Sequence, residues 1–340
     1  MSDFANAFYH LHHGDVCVVY AAWPEPDLII SDGAYGISGF RGDAKNYAEL
    51  PQWYEPHLKE WQAKAKRSTS LWFWNTEVGW ATIHPLLIAS GWEYVQLVVW
   101  DKGLAHVAGN SNGETLRQLP VVTEVAALYR RKPVFCDVNG KLCAAQEWLR
   151  SEWLRSGLPL NKANEACGVK NAATRKYLTA DYMWYWPPGE AVARMACYCE
   201  QYGAPTSQPY FSLDGINPIT AELWDAQRAT WHHKNGMTNV WARPPLASNE
   251  RFRGKLTSRS ASHLNQKPLD LMINQIAATT DRNQVVWEPF GGLASASVAS
   301  VMLGRYAYVA EVDENFVSVA KSRLDEASAS LSASGALDLV

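Results

Sequence analysis

Two stretches of the chain place potentially reactive side chains directly after short apolar runs. Residues 28–30 lead into Ser31, Asp32, Gly33, Ala34 and Tyr35, which form an acid in a tight bend followed by an aromatic ring. Far downstream, residues 285–287 lead into the run 288–292, Glu-Pro-Phe-Gly-Gly. The first has the form of a catalytic loop. The second has the form of a nucleotide-binding loop, in which glycine lets backbone N–H groups approach a ligand. Together they indicate an enzyme that transfers a group from a nucleoside cofactor.

The elements that must position these loops alternate between strands and helices. Strands are predicted over 16–20, 28–30, 71–74, 94–100, 239–241, Val285–Glu288 and Tyr306–Glu311. Helices are predicted over 54–66, Glu77–Ala89 and 265–280. This rhythm predicts an α/β fold with a mostly parallel sheet and helices on both faces.

The rhythm breaks after Lys132, where the chain becomes helical and aromatic without a good central strand. We therefore predict one sheet domain with an inserted module. Its catalytic half spans 1–134, the mainly helical insert 135–235, the cofactor half 236–328 and a flexible Ser/Ala-rich tail 329–340.

A second acid supports a nucleoside ligand for the downstream loop. Glu311 closes the strand after Glu288, at the spacing at which an acid binds ribose hydroxyls in such sheets. The loop carries no basic residue to neutralise phosphates, which favours a nucleoside without them. Taken alone, the loop fits an ordinary strand-to-helix turn equally well.

Composition narrows the class of protein. The net charge of −3 excludes a chain that is basic all over, but a basic face suffices to bind nucleic acid. The six cysteines lack paired metal-ligand spacing, and no segment resembles a secretion signal or a membrane span. The adjacent pairs His12-His13 and His232-His233 are poorly placed to share a metal. We expect a cytoplasmic protein without a metal.

The chain resembles the β class of S-adenosylmethionine-dependent DNA amino-methyltransferases. Six segments carry the resemblance in that family's order over about 1–134 and 236–325: Gly14-Asp15 with 27–35, 100–102, 117–124, 263–269, 288–292 and 304–313. The resemblance implies a Rossmann-like methyltransferase sheet, S-adenosylmethionine as cofactor and double-stranded DNA as substrate.

The resemblance also implies roles for individual residues. Asp32 and the Gly33 carbonyl would accept hydrogen bonds from the target amino group of a base flipped out of the duplex, and Tyr35 would stack on that base. Lys267 would pair with the cofactor carboxylate, Glu311 would hold the ribose, and Asp15 would approach the adenine. The cofactor-binding residues so implied are Asp15, Asp32, Gln266, Lys267, Glu288, Phe290, Gly292 and Glu311.

Four positions depart from the family pattern. Prolines usually stand where this chain has Gly33 and Ala34, which makes the catalytic loop less rigid. In the cofactor loop Ala294 replaces a common glycine and Glu288 a common aspartate, and both replacements are tolerable in size.

Two basic stretches are candidates for contacts with DNA. The spacing over 157–177 predicts a helix-turn-helix within the insert. Its second helix would expose Lys170, Asn171, Thr174, Arg175 and Lys176, and a further basic stretch contains Arg251, Arg253 and Lys255. The alternative for 157–177 is a helical hairpin with a purely structural role, and the alternative for the second basic stretch is a solvated loop.

The leading hypothesis is methyl transfer to the N6 of adenine in DNA, because Asp32 heads the tetrapeptide as in the adenine subgroup. The cytosine-N4 subgroup usually has serine at that position, so Ser31, directly before Asp32, leaves cytosine-N4 methylation as an alternative. Two further hypotheses come from other classes of protein. One is a sequence-specific DNA-binding protein with a decayed catalytic loop, and the other is an NAD-dependent oxidoreductase. The resemblance implies DNA and a cognate restriction nuclease as partners. We expect a monomer or homodimer that is associated with the nucleoid. The recognised DNA sequence does not follow from the chain.

Overall fold

The computed structural model describes residues 2–37, 42–106, 114–247, 250–251 and 266–335. The chain forms two compact units, one made of Met1–Arg131 with Ala229–Val340 and the other of Lys132–Arg228. The second unit therefore starts and ends a few residues before the predicted insert of 135–235. Among the described residues, no helix has the length and apolar character needed to span a membrane.

The elements of the first unit come from both ends of the chain and those of the second unit from its middle. Up to Arg131 they are β1 (Ser2–Ala5), β2 (Tyr9–His13), β3 (Leu28–Ser31), α1 (Leu50–Lys64), β4 (Ser70–Asn75), α2 (Glu77–Ala89), β5 (Trp92–Asp101) and β6 (Thr123–Arg131). The second unit contains β7 (Val134–Cys136), β8 (Leu142–Ala144), α3 (Ala145–Arg155), α4 (Lys162–Ala166), a π-helical turn (Ala173–Tyr177), α5 (Gly189–Tyr202) and α6 (Ala221–Asp225). The first unit then continues with β9 (Val240–Ala242), α7 (Leu269–Thr279), β10 (Val285–Glu288), α8 (Ser295–Met302), β11 (Tyr306–Glu311) and α9 (Glu314–Gly335).

One mixed sheet organises the first unit. Its described strands run in the order β1-β2-β11-β10-β3-β4-β6-β5-β9. The central run β2-β11-β10-β3-β4 is parallel, as is the β5–β9 pair, whereas β1–β2, β4–β6 and β5–β6 are antiparallel. The predicted α/β fold with a mostly parallel sheet is confirmed.

Helices cover both faces of this sheet because the central strands are apolar on both sides. In β3, the Ile29 side chain belongs to a cluster with Tyr54 and Leu58 of α1. Leu28 and Ile30 point the other way and belong to a cluster with Ile276 of α7. All three aliphatic residues of β3 are buried.

The first strand predicted from the sequence is wrong. Residues 16–20 do not form a strand; Val16–Val18 is a 3₁₀ turn, and Asp15 begins it by accepting a 2.9 Å hydrogen bond from the Cys17 N–H. Val16 and Tyr20 still pack into the core, which explains the apolar run. The actual edge strand β2 escaped prediction because three of its five residues are histidine.

The predicted flexible tail is helical as far as the structure describes it. Helix α9 continues to Gly335, and residues 336–340 lie outside the described part. Three of its serines donate a hydroxyl hydrogen bond to the carbonyl four residues earlier: Ser328 at 2.8 Å, Ser330 at 2.9 Å and Ser332 at 3.0 Å. These bonds satisfy the serine hydroxyls within the helix, and the alanines between the serines are the strongest helix formers.

The second unit has its own aromatic core, in which Trp148 and Trp224 stack. The helical segments at the predicted helix-turn-helix are short: α4, a turn at Gly168 with a φ of 67°, and the π-helical turn. Thr174 is half-buried and locks the two segments together, since its hydroxyl and N–H bond Asn164 at 2.5 and 3.2 Å. The other predicted DNA contacts here are exposed: Lys170, Asn171, Arg175 and Lys176.

Candidate active site

The two loops singled out in the sequence lie side by side. Strands β3 and β10 are parallel neighbours, with Leu28 opposite Val286 and Ile29 opposite Trp287, so their following loops leave from one edge of the sheet. The contact is close: a Cβ added to Gly33 would lie 2.7 Å from carbons of the Phe290 ring. This edge, beyond the carboxyl ends of the strands, is where open α/β sheets bind ligands.

A cavity of about 600 Å³ opens between the loops, within the size range of small-molecule sites. Every residue predicted to act in catalysis or cofactor binding lines it: Asp15, Asp32, Gly33, Tyr35, Gln266, Lys267, Glu288, Phe290, Gly292 and Glu311. Helix α1 adds lining residues that the sequence analysis did not assign, among them Trp53 and His57.

Asp32 is held by an ion pair with Lys267. The lysine Nζ lies 2.8 Å from Asp32 Oδ1 and 3.0 Å from the Tyr35 hydroxyl, and the hydroxyl donates to the same Oδ1 at 2.8 Å. Within the described residues, Oδ2 of Asp32 accepts no hydrogen bond. One oxygen therefore orients the carboxylate and the other remains available. Lys267, expected to meet the cofactor carboxylate, is instead engaged by protein acids.

The second of these acids is Glu124, which the sequence analysis did not assign. Its Oε2 lies 3.2 Å from Lys267 Nζ and 3.2 Å from the Tyr35 hydroxyl, whose one hydrogen it shares with Asp32 Oδ1, while Lys102 pairs with Oε1. Burial raises the pKa of Glu124, but Lys267 and Lys102 outweigh it and lower that pKa to about 2. Burial lowers the pKa of Lys267, and Asp32 and Glu124 outweigh it in turn. Glu124 and Lys267 thus each stabilise the charged form of the other.

Glu124 was missed because strand β6 was missed. Asp101 at the end of β5 is paired with Thr123 at the start of β6, which sets Lys102 beside Glu124. The signal for this strand is the continuous apolar run 125–129, and recognising it as a buried strand would have placed both residues at the site.

The departures at Gly33 and Ala34 have a structural reason. Besides the contact with Phe290, a Cβ on Gly33 would lie 2.8 Å from the Tyr54 hydroxyl oxygen, so the position has no room for a side chain. The Ala34 carbonyl accepts hydrogen bonds from Tyr54 Oη at 3.1 Å and Asn75 Nδ2 at 2.9 Å, both buried. Side chains from α1 and β4 thus fix the loop in place of the prolines.

Backbone N–H groups hold Glu311. Its Oε2 accepts from Gly292 at 2.6 Å, and its Oε1 accepts from Val312 and Asp313 at 2.8 Å each. Burial raises the pKa of Glu311, and the three backbone hydrogen bonds, which lower it, offset this only in part. The bond to Gly292 ties this acid directly to the glycine loop.

Glu288 is also held by backbone, at the start of α8. Its two oxygens accept from the N–H groups of Ala296 at 3.1 Å and Ser297 at 2.7 Å. Burial raises the pKa of Glu288 to about 7, although these bonds lower it. Because both oxygens face the helix, we interpret Glu288 as holding the loop rather than contacting a ligand, unlike the role implied by resemblance.

Ala294 takes the backbone conformation of the glycine it replaces. Its φ of 57° lies in the left-handed region, which costs a non-glycine residue about 1 kcal/mol or more. Its methyl group is fully buried beside Val298 and Val301, and this packing offsets part of the cost.

The lining of the cavity fits S-adenosylmethionine. Asp15 and Glu311 supply acceptors for amino and hydroxyl donors, Phe290 an aromatic surface, and Gly292 a backbone position close to the ligand. The nucleoside carries no phosphate, and the loop 288–292 brings no cation to bind one.

Comparison with known proteins decides the family. A model of the DNA methylases of the N6/N4 type matches residues 26–322. The chain belongs to this family. S-adenosylmethionine is accordingly the cofactor of this N6/N4 methylase, as the sequence predicted. The segment 252–265, which includes Arg253, Lys255 and His263, lies outside the described residues.

Individual relatives share parts of the chain or its fold. A stretch of 88 residues is 30% identical to the type II methyltransferase M2.MboI of Moraxella bovis, covering 26% of this chain and 30% of that protein. The M1.HpyAVI–SAM complex has a TM-score of 0.50 at 13% identity, covering 93% of this chain and 99% of the other. PvuII DNA methyltransferase (cytosine-N4-specific) has a TM-score of 0.50 at 11% identity, covering 96% and 93%. At such identities these structures show the fold alone.

Proposed function

We propose that the protein transfers a methyl group from S-adenosylmethionine to the exocyclic N6 of adenine in double-stranded DNA, after flipping the base out of the helix. The observation that carries this proposal is the single cavity lined by both the Asp32 loop and the 288–292 loop. A group bound on the glycine loop and a base held at Asp32 would share this cavity.

The residues at the Asp32 end match the chemistry of an amino group. The exocyclic nitrogen is a poor nucleophile because its lone pair is conjugated with the ring. Acceptors on its hydrogens free that lone pair and stabilise the positive charge that develops on nitrogen. S-adenosylmethionine supplies, when bound, a methyl group activated by a sulfonium. Oδ2 of Asp32 is the available acceptor, and the Gly33 carbonyl is our candidate for the second.

We propose that Tyr35 stacks on the flipped base. Its ring lines the cavity, while its hydroxyl is anchored by Asp32, Glu124 and Lys267. Burial and the nearby acids raise the pKa of Tyr35, so the phenol stays neutral. Stacking on such a ring offsets part of the few kcal/mol that base flipping costs.

The position of Ser31 favours adenine over cytosine. Ser31 is the last residue of β3 and its side chain is fully buried, whereas Asp32 lines the cavity. Asp32 therefore heads the tetrapeptide, as the resemblance to the adenine subgroup implies. The hydrogen bonds from Tyr54 and Asn75 to Ala34 support an intact loop over a decayed one.

For DNA recognition we propose the second unit. Lys170, Arg175 and Lys176 are exposed on and beside the π-helical turn and are able to contact phosphates. Thr174, bonded to Asn164, serves the packing of this segment instead. Replacing any one of the three cations by alanine should reduce the salt dependence of DNA affinity by nearly one counterion.

The test is to incubate the protein with methyl-labelled S-adenosylmethionine and mixed-sequence duplex DNA, and to analyse the nucleosides after digestion. We expect label in N6-methyldeoxyadenosine. Label in N4-methyldeoxycytidine would overturn the choice of base. Specific DNA binding with no label in either product would overturn the enzymatic proposal.

A further inference from the structure

His57 is a buried histidine in the wall of the cavity, and neither the resemblance nor the proposed chemistry gives it a role. It lies on helix α1, only 6% exposed, and it lines the cavity together with Asp15 and Cys17. Its ring packs edge-on against Phe290, with the centroids 4.8 Å apart, and equally close to Trp53. It is thus in direct contact with the cofactor loop.

A chain of hydrogen bonds determines which nitrogen of His57 carries the proton. The indole of Trp61 can only donate, and it donates to the Tyr20 hydroxyl oxygen at 3.0 Å. That hydroxyl lies 3.1 Å from His57 Nδ1, and within the described residues it has no other acceptor. If Nδ1 carried the proton, the fully buried Tyr20 O–H would be left unpaired, which costs about 1–3 kcal/mol. Nδ1 therefore accepts, and Nε2 carries the hydrogen.

We infer that Nε2–H faces the cavity, because His57 lines the cavity and its other nitrogen, Nδ1, is directed at Tyr20. Among the described residues nothing is hydrogen-bonded to Nε2, although Nδ1 on the other side of the ring is engaged by Tyr20. Burial lowers the pKa of His57 to about 4, only partly opposed by the nearby Asp15 carboxylate. The ring is therefore a neutral donor at physiological pH.

We propose that His57 binds the cofactor, with Nε2–H donating a hydrogen bond to an acceptor on the nucleoside half of S-adenosylmethionine. The inference rests on the proposed use of this cavity. Asp15, on the same stretch as Cys17, offers an acceptor, and the Cys17 sulfur lies 3.8 Å from His57. A donor and an acceptor side by side match adenosine, which presents an amino group together with ring nitrogens and ribose oxygens.

The chain contains a matched control. His84 on α2 repeats the same arrangement away from the cavity: Trp80 donates to the Tyr129 hydroxyl at 2.8 Å, and that hydroxyl lies 2.8 Å from His84 Nδ1. His84 does not line the cavity. A His-to-Phe change therefore removes an equivalent Tyr–His bond at both positions, but a cavity-facing donor only at His57.

The experiment is calorimetric titration of the full-length protein with S-adenosylhomocysteine. We expect His57→Phe to weaken binding roughly five- to tenfold, the effect of one lost hydrogen bond, and His84→Phe to change it less than twofold. Unchanged affinity in folded His57→Phe, or an equal loss in both variants, would overturn the inference. If the wild type itself does not bind, the proposed use of the cavity is wrong, and the role of His57 is wrong with it. If the wild type binds and only the comparison of the two variants fails, the role of His57 alone is wrong.

A second measurement needs no variant and keeps the inference testable if His57→Phe does not fold. Long-range ¹H–¹⁵N spectra of the wild type report the tautomer of each histidine. We expect His57 as the Nε2–H form without ligand, with a shift of its Nε2 signal when S-adenosylhomocysteine is added. The Nδ1–H form, or an Nε2 signal that does not respond to the bound ligand, would contradict the proposal.

Discussion

The acids of the site are held in two different ways. Asp32 and Glu124 are bound by side chains from distant segments, above all Lys267. Glu288 and Glu311 are bound by backbone N–H groups within a few residues of themselves or across the cofactor loop. The first pair is ion-paired with lysine, whereas the second pair is hydrogen-bonded to backbone amides, and Arg323 acts on Glu288 only through its charge.

The difference shows in charge and in adaptability. Lys267 and Lys102 lower the pKa of Glu124 to about 2, whereas burial leaves the pKa of Glu288 at about 7 despite two backbone bonds. Side-chain ion pairs can re-form with a substrate, while backbone amides keep their position. We infer that the side chains around Asp32 respond to the charge that develops during the reaction. The backbone around Glu288 instead keeps the cofactor loop in a fixed conformation.

The largest effect is expected from Asp32→Ala. It removes the carboxylate acceptor and should reduce methyl transfer by about 10²- to 10³-fold, comparable to the loss of one group that stabilises transition-state charge. Affinity for S-adenosylhomocysteine, measured by calorimetry, should stay nearly unchanged because the cofactor loop keeps its own bonds. Lost cofactor affinity in a folded variant would mean that the two sides are not separate.

Glu124→Gln should destabilise the protein by roughly 3 kcal/mol, because it leaves two lysines with one acid in a buried cluster. The free energy of unfolding in urea gives the value. Glu93→Gln is the control, since it breaks an exposed pair with Arg130 that is worth at most about 1 kcal/mol. Equal losses in the two variants would show that burial of the Glu124 cluster does not matter.

The pH dependence of stability should separate Glu288 from Glu124. Glu288 has a raised pKa in the folded state, so its protonated form favours folding below about pH 4.5, and this contribution is lost as the pH rises through about 7. Glu124 has a lowered pKa, so its contribution is present above about pH 4.5 and is lost as the pH falls towards 2.

Glu288→Gln tests this contrast. Between pH 4.5 and 7 the wild type should lose roughly 3 kcal/mol relative to the variant, from a shift of about two to three pKa units. Urea unfolding at several pH values measures the difference, with the exposed Glu314→Gln as control. A constant difference across this pH range would refute the raised pKa.

Gly33→Ala asks whether the two sides are packed against each other. The new methyl group must displace the Phe290 ring or the Tyr54 hydroxyl, at a cost of about 2 kcal/mol. Unfolding of Gly33→Ala, Phe290→Leu and the double variant measures the coupling. We expect the double variant to lose less than the sum of the single losses, and strictly additive losses would contradict the contact.

The smallest effect concerns Glu311→Gln. An amide cannot accept all three backbone N–H bonds, so we expect the Kd for S-adenosylhomocysteine to rise about tenfold, or about 1.4 kcal/mol. Glu314→Gln again serves as control. Unchanged affinity would remove Glu311 from the cofactor site.

The acids held by backbone groups could be predicted from the sequence, whereas the partners of the acids held by side chains could not. The strand–acid–glycine pattern at 285–292 and the acid at Glu311 are local, because the backbone groups that hold these acids lie nearby in the chain. The partners of Asp32 are not local: Lys267 reaches it from 235 residues away and Glu124 lies on an unpredicted strand. The tautomer of His57 depends on Tyr20 and Trp61, and the apolar run around Tyr20 was itself misread as a strand.

The central claim is that the cofactor loop and the Asp32 loop serve one cavity, and a crystal structure with sinefungin tests it most directly. This analogue carries an amine where S-adenosylmethionine carries its methyl sulfonium. We predict its nucleoside beside Glu311 and His57 and its amine directed towards Asp32. Sinefungin bound with that amine turned away from Asp32, or bound outside the cavity, would contradict the account.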